Sequence, residues 1–269
     1  MIPPHGETLV SRFCSHLQKI SFTLQLDHSR EIDIYNIATW AYSPLIWFSW
    51  KKEFISIIEN SHLLNGRLWS IPIIFDIPES TAKEIEKLKL KIVGLIDTRW
   101  THVGSLLNIE IYRFDKKSYC ASVFGTTDSN HPGVKKVEKM GEFLIGGELE
   151  VIEEWRVKFD DVNDLDILSP QRTRTMFQEK WFQTIVAFQT RNVPHRGHEY
   201  IQKCGLENVD ALLVHPVIGE KKSWDFQNHV ILGSYKILAE KYYNPERVII
   251  SCLPWVMRYA WPREAILHA

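Results

Sequence analysis

At 269 residues, with 45% hydrophobic and 24% charged side chains, the chain is long enough for one large domain or two ordinary ones and too apolar for disorder. A net charge of −1 argues against a general nucleic-acid or membrane-surface binder, so any anion site must be local. Four scattered cysteines (Cys14, Cys120, Cys204, Cys252) without a CxxC pair argue against a zinc site or a disulfide framework. The amino-terminal segment lacks an apolar signal core, and no uncharged apolar run nears the ~20 residues of a bilayer span. A cytoplasmic protein with small-molecule partners, binding neither nucleic acid nor membrane, is expected.

Taken in chain order, residues 1–160 read as β-rich with a few helices. Strand-like runs lie at 68–77, 90–97, 106–114 and 147–155, separated by turn-prone clusters at 126–133 and 145–147. Residues 52–62 carry apolar side chains at helical spacing. His5 and the His131-Pro132-Gly133 segment read most simply as turns. Near residue 160 the texture changes to helix–strand alternation. Ser169-Pro170 reads as an N-cap and an N1 proline opening a helix through about Glu179. Then come strand 182–188, helix 196–207, strand 209–215, helix 226–242, strand 247–253 and a helix from about Pro262. Strands spaced by helices imply right-handed crossovers and a parallel sheet, with ligands bound beyond the carboxyl ends of its strands. The expected fold class is α/β, divided into 1–160 and 161–269.

One such strand end carries Phe188-Gln189-Thr190-Arg191-Asn192-Val193-Pro194-His195-Arg196-Gly197-His198-Glu199 and leads into a helix. A helix N-terminus offers unpaired N–H groups and about half a positive charge. Arg191 adds a planar fork suited to a tetrahedral oxyanion, and His195 and His198, three apart, share a helix face. The segment reads as a nucleotide-phosphate site. His215, at the next strand end, either lines the pocket or packs. Lys221 and Lys222 read as a solvated loop pair. Arg258 and Arg263 either contact ligand or pair locally.

Gln189-Thr190-Arg191-Asn192 followed by His195-x-x-His198 resembles the ATP sulfurylase (sulfate adenylyltransferase) family. Ala41-Tyr42-Ser43-Pro44-Leu45, Phe124-Gly125-Thr126-Thr127-Asp128, His131-Pro132-Gly133, Met257-Arg258-Tyr259-Ala260 and Pro262-Arg263-Glu264-Ala265 resemble family segments in the same order. The resemblance implies an N-terminal PUA-like β domain and a Rossmann-like nucleotidyltransferase domain. It implies the reaction of ATP with sulfate to give adenylyl sulfate and pyrophosphate, with Mg2+ carried on ATP and a homo-oligomer as one possible state. Gln189 and Arg191 would hold sulfate; Thr190 and Asn192 would orient phosphates; His195 and His198 would stabilise charge on the α-phosphate and the departing pyrophosphate. His215, Arg258 and Arg263 complete the candidate substrate-binding set. A nucleotide- or oxyanion-binding pseudoenzyme and a nucleotidyltransferase with another acceptor are the alternatives.

Two departures from the family pattern stand out. The chain stops at Ala269, where the family continues into a Gly-Arg-Asp-His-Ala-Gly segment around the nucleotide. Among 10 tryptophans, Trp40, Trp47, Trp181, Trp224 and Trp261 fall where the family has glycine. Left-handed backbone is expected there, most clearly at Trp181 after a helix end and Trp224 in a polar loop. The pattern is the one produced when UGA codons meant as glycine are read as tryptophan.

Overall fold

The structure is a computed structural model that describes residues 3–6, 11–220 and 225–268. Its first half contains β1 (Phe13–Cys14), β2 (Thr23–Gln25), α1 (His28–Ala38), β3 (Trp47–Phe48), α2 (Lys51–Asn60), β4 (Asp76–Ile77), α3 (Glu79–Lys87), β5 (Ile92–Ile96), β6 (His102–Arg113), α4 (Lys116–Phe124), α5 (Pro132–Glu138) and β7 (Phe143–Ile152). The second half contains α6 (Pro170–Glu179), β8 (Ile185–Thr190), α7 (Arg196–Leu206), β9 (Ala211–Ile218), α8 (Asn228–Tyr242), β10 (Val248–Ile250), β11 (Leu253–Pro254) and α9 (Arg263–His268). The chain is mixed α/β, with parallel strands in both sheets.

The first sheet has seven strands and runs β1-β7-β6-β5-β2, with β3 and β4 also on β7. Its spine is the long antiparallel β6–β7 pair, in which Leu106 faces Leu149 and Ile111 faces Ile145. Three of the four strand-like runs are therefore strands. The run at 68–77 is not: only Asp76–Ile77 pairs as a strand. Pro72 has no N–H to give a ladder, and Ile71, Ile73 and Phe75 are buried as core filling instead. His131-Pro132-Gly133 is not a free turn either. The His131 imidazole caps α5, accepting from the Gly133 and Val134 N–H groups, with Pro132 at the first helical position.

In the second sheet β9 is central. β8 lies parallel to it over Ile185–Thr190, and β10 and β11 lie parallel on its other edge. Leu212 and Val214 of β9 pack with Ile231, Tyr235 and Leu238 of α8, and Val186 and Phe188 of β8 close on the same cluster. The N-cap of α6 is Ser169, whose hydroxyl accepts from the Arg172 N–H, and Pro170 opens the helix as its position requires.

The two halves share a core. Val217 and Trp255 belong to the same buried cluster as Ile32, Ile37, Leu95 and Leu149. The Arg258 guanidinium forms a two-pronged ion pair with Asp33 at 2.7 and 2.9 Å. Arg263 donates to the carbonyls of Ile57, Ile58 and Ser70, capping the last turn of α2.

Trp40 (φ 77°) and Trp181 (φ 60°) hold left-handed backbone. Trp47 and Trp261 do not: Trp47 is a strand residue paired with Glu148 and stacked on Trp50. Trp224, Lys221 and Lys222 lie outside the described residues. Trp100, at φ 64°, joins the left-handed set.

Candidate functional site

The strand β8 extends two residues further than its apolar run, so Gln189 and Thr190 are the last two residues of the ladder, paired with His215 and Pro216. Successive side chains on a strand face opposite ways. That alternation divides the motif. Phe188 and Thr190 turn toward the buried side, where Phe188 packs in the α8 cluster and Thr190 is buried. Gln189 turns to the other side, toward α9.

On the α8 side, four groups form a chain. Thr190 and the Tyr235 hydroxyl interact, and the hydroxyl lies 3.5 Å from His198 Nδ1. The His198 ring stacks on His195 with centroids 3.8 Å apart and meets Phe188 edge-on. His195 is the N-cap of α7. Its Nδ1 accepts from the Gly197 and His198 N–H groups at 3.0 and 3.4 Å. Two of the helix donors expected to be unpaired are therefore already satisfied within the chain. A ring nitrogen that accepts N–H groups carries no proton, so the remaining donor of His195 is Nε2–H. Burial, with the adjacent His195, holds the His198 pKa below the usual imidazole range. The Thr190 hydroxyl also accepts from the Asn192 N–H, which folds the strand end into the turn before α7.

On the other side, Arg191 lies 3.7 Å from the carboxylate of Asp225. The two line a narrow cleft with Gly219, Trp255, Met257 and Tyr259. Gln189 lines a second, open hollow of about 530 Å³ with Met257, Tyr259, Glu264 and His268. Met257 and Tyr259 belong to both, so the cleft and the hollow flank one segment of chain. His268 Nδ1 is 2.7 Å from Gln189 Oε1.

The candidate residues thus fall into three adjoining groups around one strand end rather than into one cavity. His215 sits beside Gln189 in the ladder, and burial pushes its pKa down to about 4. Arg258 and Arg263 stand apart from all three groups, their guanidinium groups turned into the protein as described above. Tyr235, Asp225 and His268 are site neighbours that sequence reasoning did not single out. Tyr235 stands in a helix with no motif around it, His268 lies just past the Pro262-Arg263-Glu264-Ala265 segment, and Asp225 lies in a polar loop. Among the described residues no group of three or more His, Cys, Asp or Glu is placed to hold a metal ion, and no helix is long and apolar enough to cross a membrane.

A family model described as ATP-sulfurylase matches residues 166–269, and one described as PUA-like domain matches residues 2–154. The sulfate adenylyltransferase of Thermococcus onnurineus (strain NA1) is 41% identical over 99% of this chain and 70% of its own length. That of Pyrococcus abyssi (strain GE5 / Orsay) is 38% identical over the same shares. Among solved structures, a chain of the hexameric APS kinase from Thiobacillus denitrificans matches with a TM-score of 0.73 at 19% identity. The match covers 99% of this chain and half of that one, and at such identity it speaks for the fold alone.

Proposed function

The chain belongs to the ATP sulfurylase family, and from that premise we propose that it is a sulfate adenylyltransferase whose two anionic substrates meet at the end of β8, one on each side of the strand. A sulfate oxygen attacks the α-phosphorus of ATP, the bond to the bridging oxygen breaks, and pyrophosphate leaves. Sulfate is a weak nucleophile, and both reactants are anions. Positioning and charge neutralisation therefore carry most of the catalysis.

In this reading Gln189 and Arg191 hold sulfate. Arg191 must then exchange its long contact with Asp225 for the closer oxyanion. Thr190, Asn192, His195 and His198 serve the phosphates, and His195 presents Nε2–H to them while its other nitrogen caps the helix. Mg2+ enters on the triphosphate as part of the substrate. His215 supports the sulfate side as a neutral neighbour of Gln189. Arg258 and Arg263 touch no substrate in this reading; paired with Asp33 and with the end of α2, they hold in place the 255–263 segment that carries Met257 and Tyr259 of the hollow. The reading takes 1–160 as the PUA-like unit and 161–269 as the catalytic one, in a cytoplasmic protein.

The observation that carries it is the divergence of Gln189 and Thr190 from one strand end beside a helix N-terminus capped by His195. Arg191→Ala tests it. The substitution should cut sulfate-dependent pyrophosphate release at least about 100-fold, the scale of removing one preorganised charge-stabilising donor. Unchanged release would remove Arg191 from the site.

A further inference from the structure

A glutamine side chain has an acceptor end and a donor end, and nothing in the side chain itself decides which faces a ligand. An anion site needs the N–H2 end. At Gln189 the acceptor end is engaged: Oε1 lies 2.7 Å from His268 Nδ1. An amide oxygen only accepts, so Nδ1 is the donor. The His268 ring is itself fixed. It meets Trp255 edge-on with centroids 4.2 Å apart, and Nε2 is buried without a hydrogen bond, 4.0 Å from the Glu264 carboxylate. The 2.7 Å approach to an oxygen that can only accept is what places the imidazole proton on Nδ1. Burial also holds the His268 pKa down, favouring that neutral form.

The helix that presents His268 is anchored in turn. Glu264, one turn earlier on α9, is buried and accepts from the backbone N–H groups of Arg258 at 2.7 Å and Ala260 at 3.0 Å. The Trp255 indole N–H reaches the same carboxylate at 3.4 Å. A short helix clamped by its own glutamate thus sets an imidazole, and the imidazole sets an amide.

We infer that His268 is a positioning residue for sulfate: its Nδ1–H holds Gln189 Oε1 so that the amide N–H2 faces the hollow the two residues share. The inference rests on the proposed reading that Gln189 binds sulfate.

The test is steady-state kinetics on the full-length enzyme, with KM for sulfate and for ATP measured separately. His268→Ala and His268→Phe should each raise the sulfate KM about tenfold, the scale of one lost well-placed hydrogen bond, and leave the ATP KM within about twofold. The Phe variant keeps the ring against Trp255 and lacks the donor, so its agreement with Ala separates hydrogen bonding from packing. His268→Asn restores an N–H near the Nδ1 position and should recover most of the sulfate affinity. In a Gln189→Ala background, adding His268→Ala should change nothing further. The inference is overturned if the Phe variant behaves as wild type, if both KM values rise together with no rescue by Asn, or if the effects of positions 189 and 268 add. Should Gln189→Ala itself leave the sulfate KM unchanged, the sulfate site has been misplaced and the inference falls with it. That outcome differs from one in which position 189 matters and position 268 does not.

Discussion

At Trp100 and Trp181 a large indole rides on left-handed backbone while remaining 79% and 84% exposed. Neither side chain recovers in burial what its backbone conformation costs. For a residue with a Cβ that cost is on the order of 1–2 kcal/mol, partly offset by the greater entropy a glycine loses on folding. Trp181→Gly and Trp100→Gly should each therefore stabilise the protein by about 0.5–1 kcal/mol, read as a higher urea midpoint with the slope unchanged. Trp40 combines φ 77° with a buried indole nitrogen that has no hydrogen-bond partner, and glycine there removes both penalties. The same three positions should be UGA in the coding sequence, while Trp69, buried and edge-on to Tyr42, should be UGG. Three UGG codons at 40, 100 and 181 would end the recoding explanation.

Helix α1 shows what one element can do for another. It presents Asp33 to Arg258 in a pair buried on both sides, with the Tyr42 hydroxyl donating to the same carboxylate. The pairing holds Arg258 firmly charged, its pKa raised above the ordinary arginine value. Removing only the acid strands that cation, so Asp33→Ala should cost about 3–5 kcal/mol in chemical denaturation. Replacing the pair together with apolar residues of similar volume should recover most of the loss. This helix was also the element least legible in the sequence. Glu31, Asp33 and Asn36 are buried along with Ile32, Ile34 and Ile37, so α1 has no solvent face to give it a helical period. Helix α5 was hidden by a proline and a glycine that signal a turn and in fact start a helix. The second half was readable nearly throughout. Its strands are apolar runs, and Ser169-Pro170 announces α6 unambiguously. Around the candidate site, the motif marks the end of a strand, as the ladder has it, but not the opposite directions of Gln189 and Thr190. Those follow from where the ladder stops, two residues past the last apolar side chain.

Across the whole molecule, three imidazoles are held below their ordinary pKa chiefly by burial: His198, His215 and His268. They belong to α7, β9 and α9, so their titration bears on the second half of the chain as a unit. For His215 the folded value is about 4. The unfolded value is about 6.5. The unfolded chain therefore takes up the proton first as pH falls. The stabilising contribution is complete above about pH 6.5 and is lost progressively toward pH 4, amounting to no more than about 3 kcal/mol for this one group. Paired carboxylates lose their contribution mainly lower, below about pH 4, so the interval between belongs largely to the histidines. Urea denaturation of the wild type should accordingly show stability falling between pH 6.5 and pH 4.5. In His215→Gln, which has no proton to gain, the fall should be shallower by about 2 kcal/mol over the same interval. Parallel pH profiles for the two proteins would mean that His215 is hydrated in the folded state and that its place beside Gln189 does not hold it neutral.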